Sequence, residues 1–112
     1  MRALSVGSNP TAATLTTLYT VPTGYYAKVT LLRATNSTAS NKHVSFDWID
    51  TSASITYPIV YQQTVASKTM QDFGSSIDYF VMEEGDILKV TTESASTFGI
   101  IATFEQEGLT RI

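Results

Sequence analysis

The chain has 112 residues, a formal net charge of -3 and no cysteine, which excludes a disulfide framework and a thiolate zinc site. At this length it forms one domain with a modest core, able to bury roughly two thirds of its unfolded surface. The seven cations (Arg2, Lys28, Arg33, Lys42, Lys68, Lys89 and Arg111) are scattered, which argues against a nucleic-acid partner, because phosphate binding needs clustered Lys and Arg.

No apolar run approaches the roughly 20 residues of a membrane span. The first ten residues carry one cation and no hydrophobic stretch of the kind a signal peptide needs. The expectation is a protein without a membrane partner, released in the cytoplasm where it is made. Charged residues are only 15% of the chain, while Ser and Thr make up about a quarter. A weakly charged β surface has little defence against edge-to-edge pairing, so this composition suits a surface partly covered in an assembly.

In chain order, residues 1–13 show no sustained period and contain Gly7, Asn9 and Pro10. They read as an extended N-terminal arm preceding a β domain over residues 14–112. Residues 14–21 are Thr-rich and read as a first strand. Pro22-Thr23-Gly24 is a turn, with Pro fixing its φ and Gly permitting the reversal. The next strand, residues 25–36, places Tyr25, Ala27, Val29 and Leu31 on one face and Tyr26, Lys28, Thr30 and Leu32 on the other.

A polar loop follows at residues 36–41. Residues 42–49 form the clearest alternating strand, with Val44, Phe46 and Trp48 opposed to His43, Ser45 and Asp47. After a turn at residues 50–53, Ile55, Tyr57, Ile59 and Tyr61 share a face of the next strand. Pro58 cannot donate to a ladder, so this strand is expected at an edge or bulged. Residues 68–73 form a short strand that Gly74-Ser75-Ser76 interrupts. Residues 77–82 lead to the acidic turn Glu83-Glu84-Gly85-Asp86, which reads as a hairpin with residues 86–93 as its second arm. Residues 98–106 close the domain, with Phe98, Ile100, Ala102 and Phe104 alternating against their neighbours. About eight short strands predict an all-β, single antiparallel sandwich of jelly-roll type.

Chemistry is sparse. His43 is the sole histidine, on the polar face of its strand, where a solvated surface role is the plain reading. No Gly-x-Ser-x-Gly elbow accompanies it. Asp47 and Asp50 flank Trp48 in the manner of a sugar-processing pair, but their parity differs, so they need not share a face. Glu83, Glu84 and Asp86 could offer hard oxygen ligands to calcium, or simply solvate a turn. The six glycines form no phosphate loop. The reading is therefore no enzyme, no catalytic residue, no cofactor and no metal.

Two motifs carry a resemblance. Leu18-Tyr19-Thr20-Val21-Pro22-Thr23-Gly24 is followed by a strand ending Ala34-Thr35-Asn36, and later by Met82-Glu83-Glu84-Gly85-Asp86-Ile87-Leu88. This order resembles small virion structural proteins of tailed bacteriophages, over roughly residues 15–104. The resemblance implies a β-sandwich or jelly roll on the outside of a capsid or in the tail, with no catalytic residues. It also makes the N-terminal arm a docking element.

The expected function is thus a capsid decoration or cement protein in the virion, assembled in the host cytoplasm and bound to the major capsid protein. A homo-oligomer is expected with it, a trimer first and a dimer next. The expected contact residues are Leu4, Val6 and Pro10 on the arm, with Tyr57 and Tyr61 on a tyrosine-bearing face. The alternatives are a tail or baseplate component of the same fold, or a carbohydrate-binding module stacking sugars on Trp48, Tyr57 and Tyr61.

Overall fold

The structure, a computed structural model, describes residues 2–74 and 79–108. It contains nine strands and, among the described residues, no α-helix: β1 (Arg2–Ser8), β2 (Thr16–Thr20), β3 (Tyr25–Asn36), β4 (Lys42–Asp50), β5 (Ile55–Val65), β6 (Thr69–Phe73), β7 (Phe80–Met82), β8 (Ile87–Thr92) and β9 (Phe98–Gly108). One sheet has the order β1-β9-β3-β6, with β7 also pairing β3, and the other has the order β2-β8-β4-β5. All strand pairings among the described residues are antiparallel.

This strand order is that of a jelly roll. β6 and β7 act as one interrupted strand, because both run along the same edge of β3, with Phe73 opposite Leu32 and Phe80 opposite Val29. Residues 75–78, in which the sequence suggests a break and the start of the following strand, lie outside the described residues.

The expected alternation holds where strands are regular. Val44 and Phe46 are buried from β4, and Phe98, Ile100, Ala102 and Phe104 from β9. Three aromatic pairs join the layers: Tyr19 with Phe104 (ring centroids 4.5 Å apart), Phe46 with Phe73 (5.8 Å) and Trp48 with Phe80 (5.7 Å). Each links a strand of one sheet to a strand of the other, so the core is sealed along its length by aromatic contacts.

Four expectations change. The N-terminal segment is extended but belongs to the sandwich instead of preceding it: residues 2–8 pair with β9 over seven consecutive positions, from Arg2 opposite Gln106 to Ser8 opposite Ile100. Leu4 and Val6 alternate with Ser5 and Gly7, and this short period of two directs them onto the core.

The second change lies in β3. An extra residue at Thr30 shifts its register against β9, since Val29 faces Phe104 and Leu31 faces Thr103. A bulge of this kind reverses the parity of everything beyond it. Leu32, not Leu31, is therefore buried, followed by Ala34 and Asn36.

The third lies in β5, where two register shifts break the expected common face. Tyr57 sits opposite Trp48, with ring centroids 5.3 Å apart, whereas Tyr61 falls at the second shift, next to Gln62 with φ of 47°.

The fourth concerns the two turn motifs. Neither closes a hairpin: residues 21–24 carry the chain from β2 to β3 and residues 83–86 carry it from β7 to β8, each time crossing between the sheets. Turn chemistry specifies a reversal but not the partner of the outgoing strand.

Candidate functional site

The acidic turn is the densest cluster of charged residues in the sequence, and the structure divides its three carboxylates between different tasks. Asp86 is buried. Its Oδ2 accepts from Trp48 Nε1 (3.1 Å) and from the Glu83 backbone N–H (2.9 Å), and its Oδ1 accepts from the Thr51 N–H (3.3 Å). One carboxylate thus ties together β4, the β4–β5 turn and its own turn. Burying a charge is costly unless donors replace the lost water, and here three do so.

Glu84 accepts from the Gly24 N–H at 2.6 Å, reaching into the other turn motif. Two backbone bonds reinforce that contact: Val21 N–H to the Asp86 carbonyl (3.0 Å) and Gly85 N–H to the Val21 carbonyl (2.9 Å). The two motifs, about 60 residues apart in sequence, are one interlocked structure at this end of the sandwich. Glu83 is exposed. The three carboxylates do not converge, and among the described residues no group of three His, Asp or Glu side chains could hold a metal ion.

At the opposite end, Asn36 is buried and its amide is fully used. Nδ2 donates to the carbonyls of Ser40 (3.0 Å) and Val65 (2.9 Å), and Oδ1 accepts from the Thr38 N–H (2.9 Å). Nearby, His43 Nε2 lies 3.6 Å from Glu93, which also accepts from the His43 backbone N–H at 3.0 Å. That N–H, with the Lys42 ammonium close by, holds the Glu93 carboxyl below the usual carboxylate range. Glu93 therefore braces the start of β4 through the His43 backbone, and among the described residues no hydroxyl is hydrogen-bonded to the imidazole as a nucleophile would be.

Asp47 and Asp50 also stay apart in role. Burial alone pushes the Asp47 carboxyl up, while Asp50 accepts from Ser52 Oγ at 2.8 Å and caps its own turn. The outer face of the β1-β9-β3-β6 sheet is laced by cross-strand pairs, including Arg33 with Asp72 (2.6 Å), Lys28 with Glu105 (3.4 Å) and Tyr26 Oη donating to Glu107 (2.8 Å). These are surface contacts, each of small net value.

One surface that folding leaves unexplained is the outer edge of β5; Leu15, Tyr25, Met70, Tyr79, Val81 and Ile101 are exposed elsewhere. Residues 51–67 contain no Asp, Glu, Lys, Arg or His. Along them Ile55 is 45%, Tyr57 42% and Tyr61 74% exposed. The run is uncharged, with these apolar and aromatic side chains set among Ser, Thr and Gln, and it flanks a fixed sheet. Of the expected contact residues, only Tyr57 and Tyr61 share this edge. Leu4 and Val6 are half-buried in β1, in the other sheet, and Pro10 is half-buried in the loop that follows. Trp48 is half-buried and held by contacts with Phe80 and Asp86, with the exposed Tyr57 beside it. Ile55, which the alternation sets on one face with Tyr57 and Tyr61, joins them as an exposed member of the edge.

No family model and no curated protein matches this chain. Among solved structures it is similar to a chain of the Bacillus endospore appendages, which form a family of disulfide-linked pili. The likeness covers 97% of this chain and 87% of that one, at a TM-score of 0.55 and 15% sequence identity. At that identity it concerns the fold, and it agrees with the two-sheet sandwich described above.

Proposed function

We propose that the chain is a non-enzymatic structural protein of a tailed-phage virion, most specifically a capsid decoration protein that binds and stabilises the major capsid shell. The observation that carries this reading is the uncharged edge of β5, with Tyr57, Tyr61 and Ile55 exposed on a sandwich in which Asp86 and Glu93 are engaged in bracing turns and strand ends. Tyrosines on a rigid support lose little freedom on binding, and they make effective contacts on a partner's surface. The interlocked LYTVPTG and EEGD motifs support the same reading, because they are the elements that resemble phage virion proteins. The chain would act in the virion, after assembly in the host cytoplasm.

The Bacillus appendage likeness supports only a fold suited to such building blocks. This chain has no cysteine, so a disulfide link of the kind named for those pili is closed to it. The carbohydrate-binding reading loses support, because the register shifts in β5 leave Tyr57 and Tyr61 without the shared stripe it needs.

The test is binding to capsids of the source phage assembled without this chain. Saturable occupancy is expected, and the pair Tyr57→Ala with Tyr61→Ala should weaken it by about tenfold or more. Absence of binding by the folded wild-type chain sinks the capsid reading, and a tail or baseplate position is then the reading to examine by labelling intact virions.

A further inference from the structure

The sandwich has four strand edges, and three carry features that discourage a further strand. β5 has Pro58 and two register shifts, and β2 has five residues and a shift between Thr17 and Tyr19. The β6/β7 edge is split into two strands and carries Asp72. β1 differs. Its seven residues pair with β9 without irregularity, include no Pro and carry one charge, at Arg2. It ends its sheet, so alternate N–H and C=O groups point away from β9, and no described strand pairs with them. Residues 3–27, which hold most of β1 and all of β2, contain no charged side chain and no histidine.

From this we infer that the outer edge of β1 is a self-association site, occupied by β1 of a second copy running antiparallel about a two-fold axis at Ser5. The strand is self-complementary in that register. Ser5 lies opposite the partner's Ser5, Leu4 opposite the partner's Val6, Ala3 opposite the partner's Gly7, and Arg2 opposite the partner's Ser8. Faces match throughout. The half-buried Leu4 and Val6 meet on the core side, while the exposed Ala3, Ser5 and Gly7 are small enough for close approach. No like charges meet.

Pairing adds about six main-chain hydrogen bonds and joins two sheets into one across the axis. The size is adequate. Seven residues span about 24 Å. A contact that also covers the sandwich edge across the 20 Å short dimension of the molecule has about 500 Å² per copy and about 1,000 Å² in all, near the lower limit for a specific interface. An isologous pair of this kind is closed, so it yields a dimer rather than a fibre. The inference goes beyond the decoration reading and does not depend on it. It selects a two-fold over the three-fold expected from a decoration role.

Sedimentation equilibrium tests it. The wild-type chain should sediment at twice its 12.2 kDa mass. Ser5→Asp and Ser5→Lys should each sediment as monomers, because like charges then face each other across the axis. An equimolar mixture of the two should recover the dimer, with one copy of each. Ser5 is exposed and its side chain bonds only the Thr103 hydroxyl (3.0 Å), so both variants should keep the wild-type circular dichroism. Should either fail to fold, Ser5→Cys serves instead. As the sole thiol it should give a disulfide-linked dimer on mild oxidation, while Tyr61→Cys on the far edge should not. A monomeric wild-type chain, charge variants that stay dimeric, or equal cross-linking at both positions overturns the inference. None of these results alters capsid occupancy, which tests the proposed function separately.

Discussion

The indole Nε1 of Trp48 donates to Asp86 Oδ2 at 3.1 Å, joining the middle of one sheet to the turn that carries the chain between the two. Trp48 also lies against Phe80 of the opposite sheet, so one side chain contributes an apolar face to the core and a polar tip to a buried carboxylate. A turn that reads in sequence as an acidic surface feature is, through this contact, part of the interior.

Asp86→Ala should therefore destabilise the fold by about 3 kcal/mol, because the Trp48, Thr51 and Glu83 donors lose their acceptor. Asp86→Asn keeps one acceptor oxygen and should cost less, about 1–2 kcal/mol. Urea unfolding followed by fluorescence of Trp48 measures both. Equal stabilities for wild type and Asp86→Ala would show that the clamp carries no weight.

Gly85 and Gly24 provide a matched pair for the interlocked turns. Both have positive φ (86° and 88°), so alanine at either is strained by about 1 kcal/mol. A Cβ at Gly85 would also come within 3.1 Å of Thr51 Oγ1, whereas one at Gly24 meets nothing within 4 Å. Gly85→Ala should accordingly lower the midpoint of thermal unfolding further than Gly24→Ala. The reverse order would contradict the packing of the β4–β5 turn against the acidic turn.

How much of this was legible beforehand differs from element to element. Val44, Phe46 and Trp48, and the run from Phe98 to Phe104, alternate cleanly and reveal two core strands, because a period of two survives wherever no residue is inserted. Thr30 carries no local mark of a bulge, and the parity of Leu31 and Leu32 depends on pairing with β9, about 70 residues away. The second sheet of each turn motif is hidden for the same reason. The burial of Asp86 has no signature in Glu-Glu-Gly-Asp, since it arises from Trp48 and Thr51 arriving from β4 and its turn. For β1 a signal was present in the alternation of Leu4 and Val6 with Ser5 and Gly7, though it is only two periods long.

The pH dependence separates two carboxylates of opposite sign. Glu93 is held below the usual carboxylate range by the His43 N–H and then by Lys42, so its contribution is present above its unfolded value and lost as pH falls through the folded one. Glu93→Gln should lower the thermal midpoint at neutral pH and match wild type in acid. Burial raises Asp47 instead, so its charged form opposes folding above the raised value and the opposition disappears as pH falls through it. Asp47→Asn should raise the midpoint at neutral pH, with the gain shrinking in acid. Parallel curves for both variants would contradict these assignments.

Core and contact surface should separate under alanine substitution. Phe46 is fully buried, and Phe46→Ala should cost about 3–5 kcal/mol. Tyr61 is 74% exposed, and Tyr61→Ala should change stability by less than about 0.5 kcal/mol while weakening capsid occupancy. Loss of stability at Tyr61 with unchanged occupancy would remove the β5 edge from the proposed contact.

The central claim, that this chain is a structural component of a virion shell, is tested most directly by its copy number relative to the major capsid protein in purified particles, measured by quantitative mass spectrometry. A decoration protein is expected at hundreds of copies per particle. A handful of copies would assign it to the tail or a single vertex, and its absence from washed particles would contradict the account.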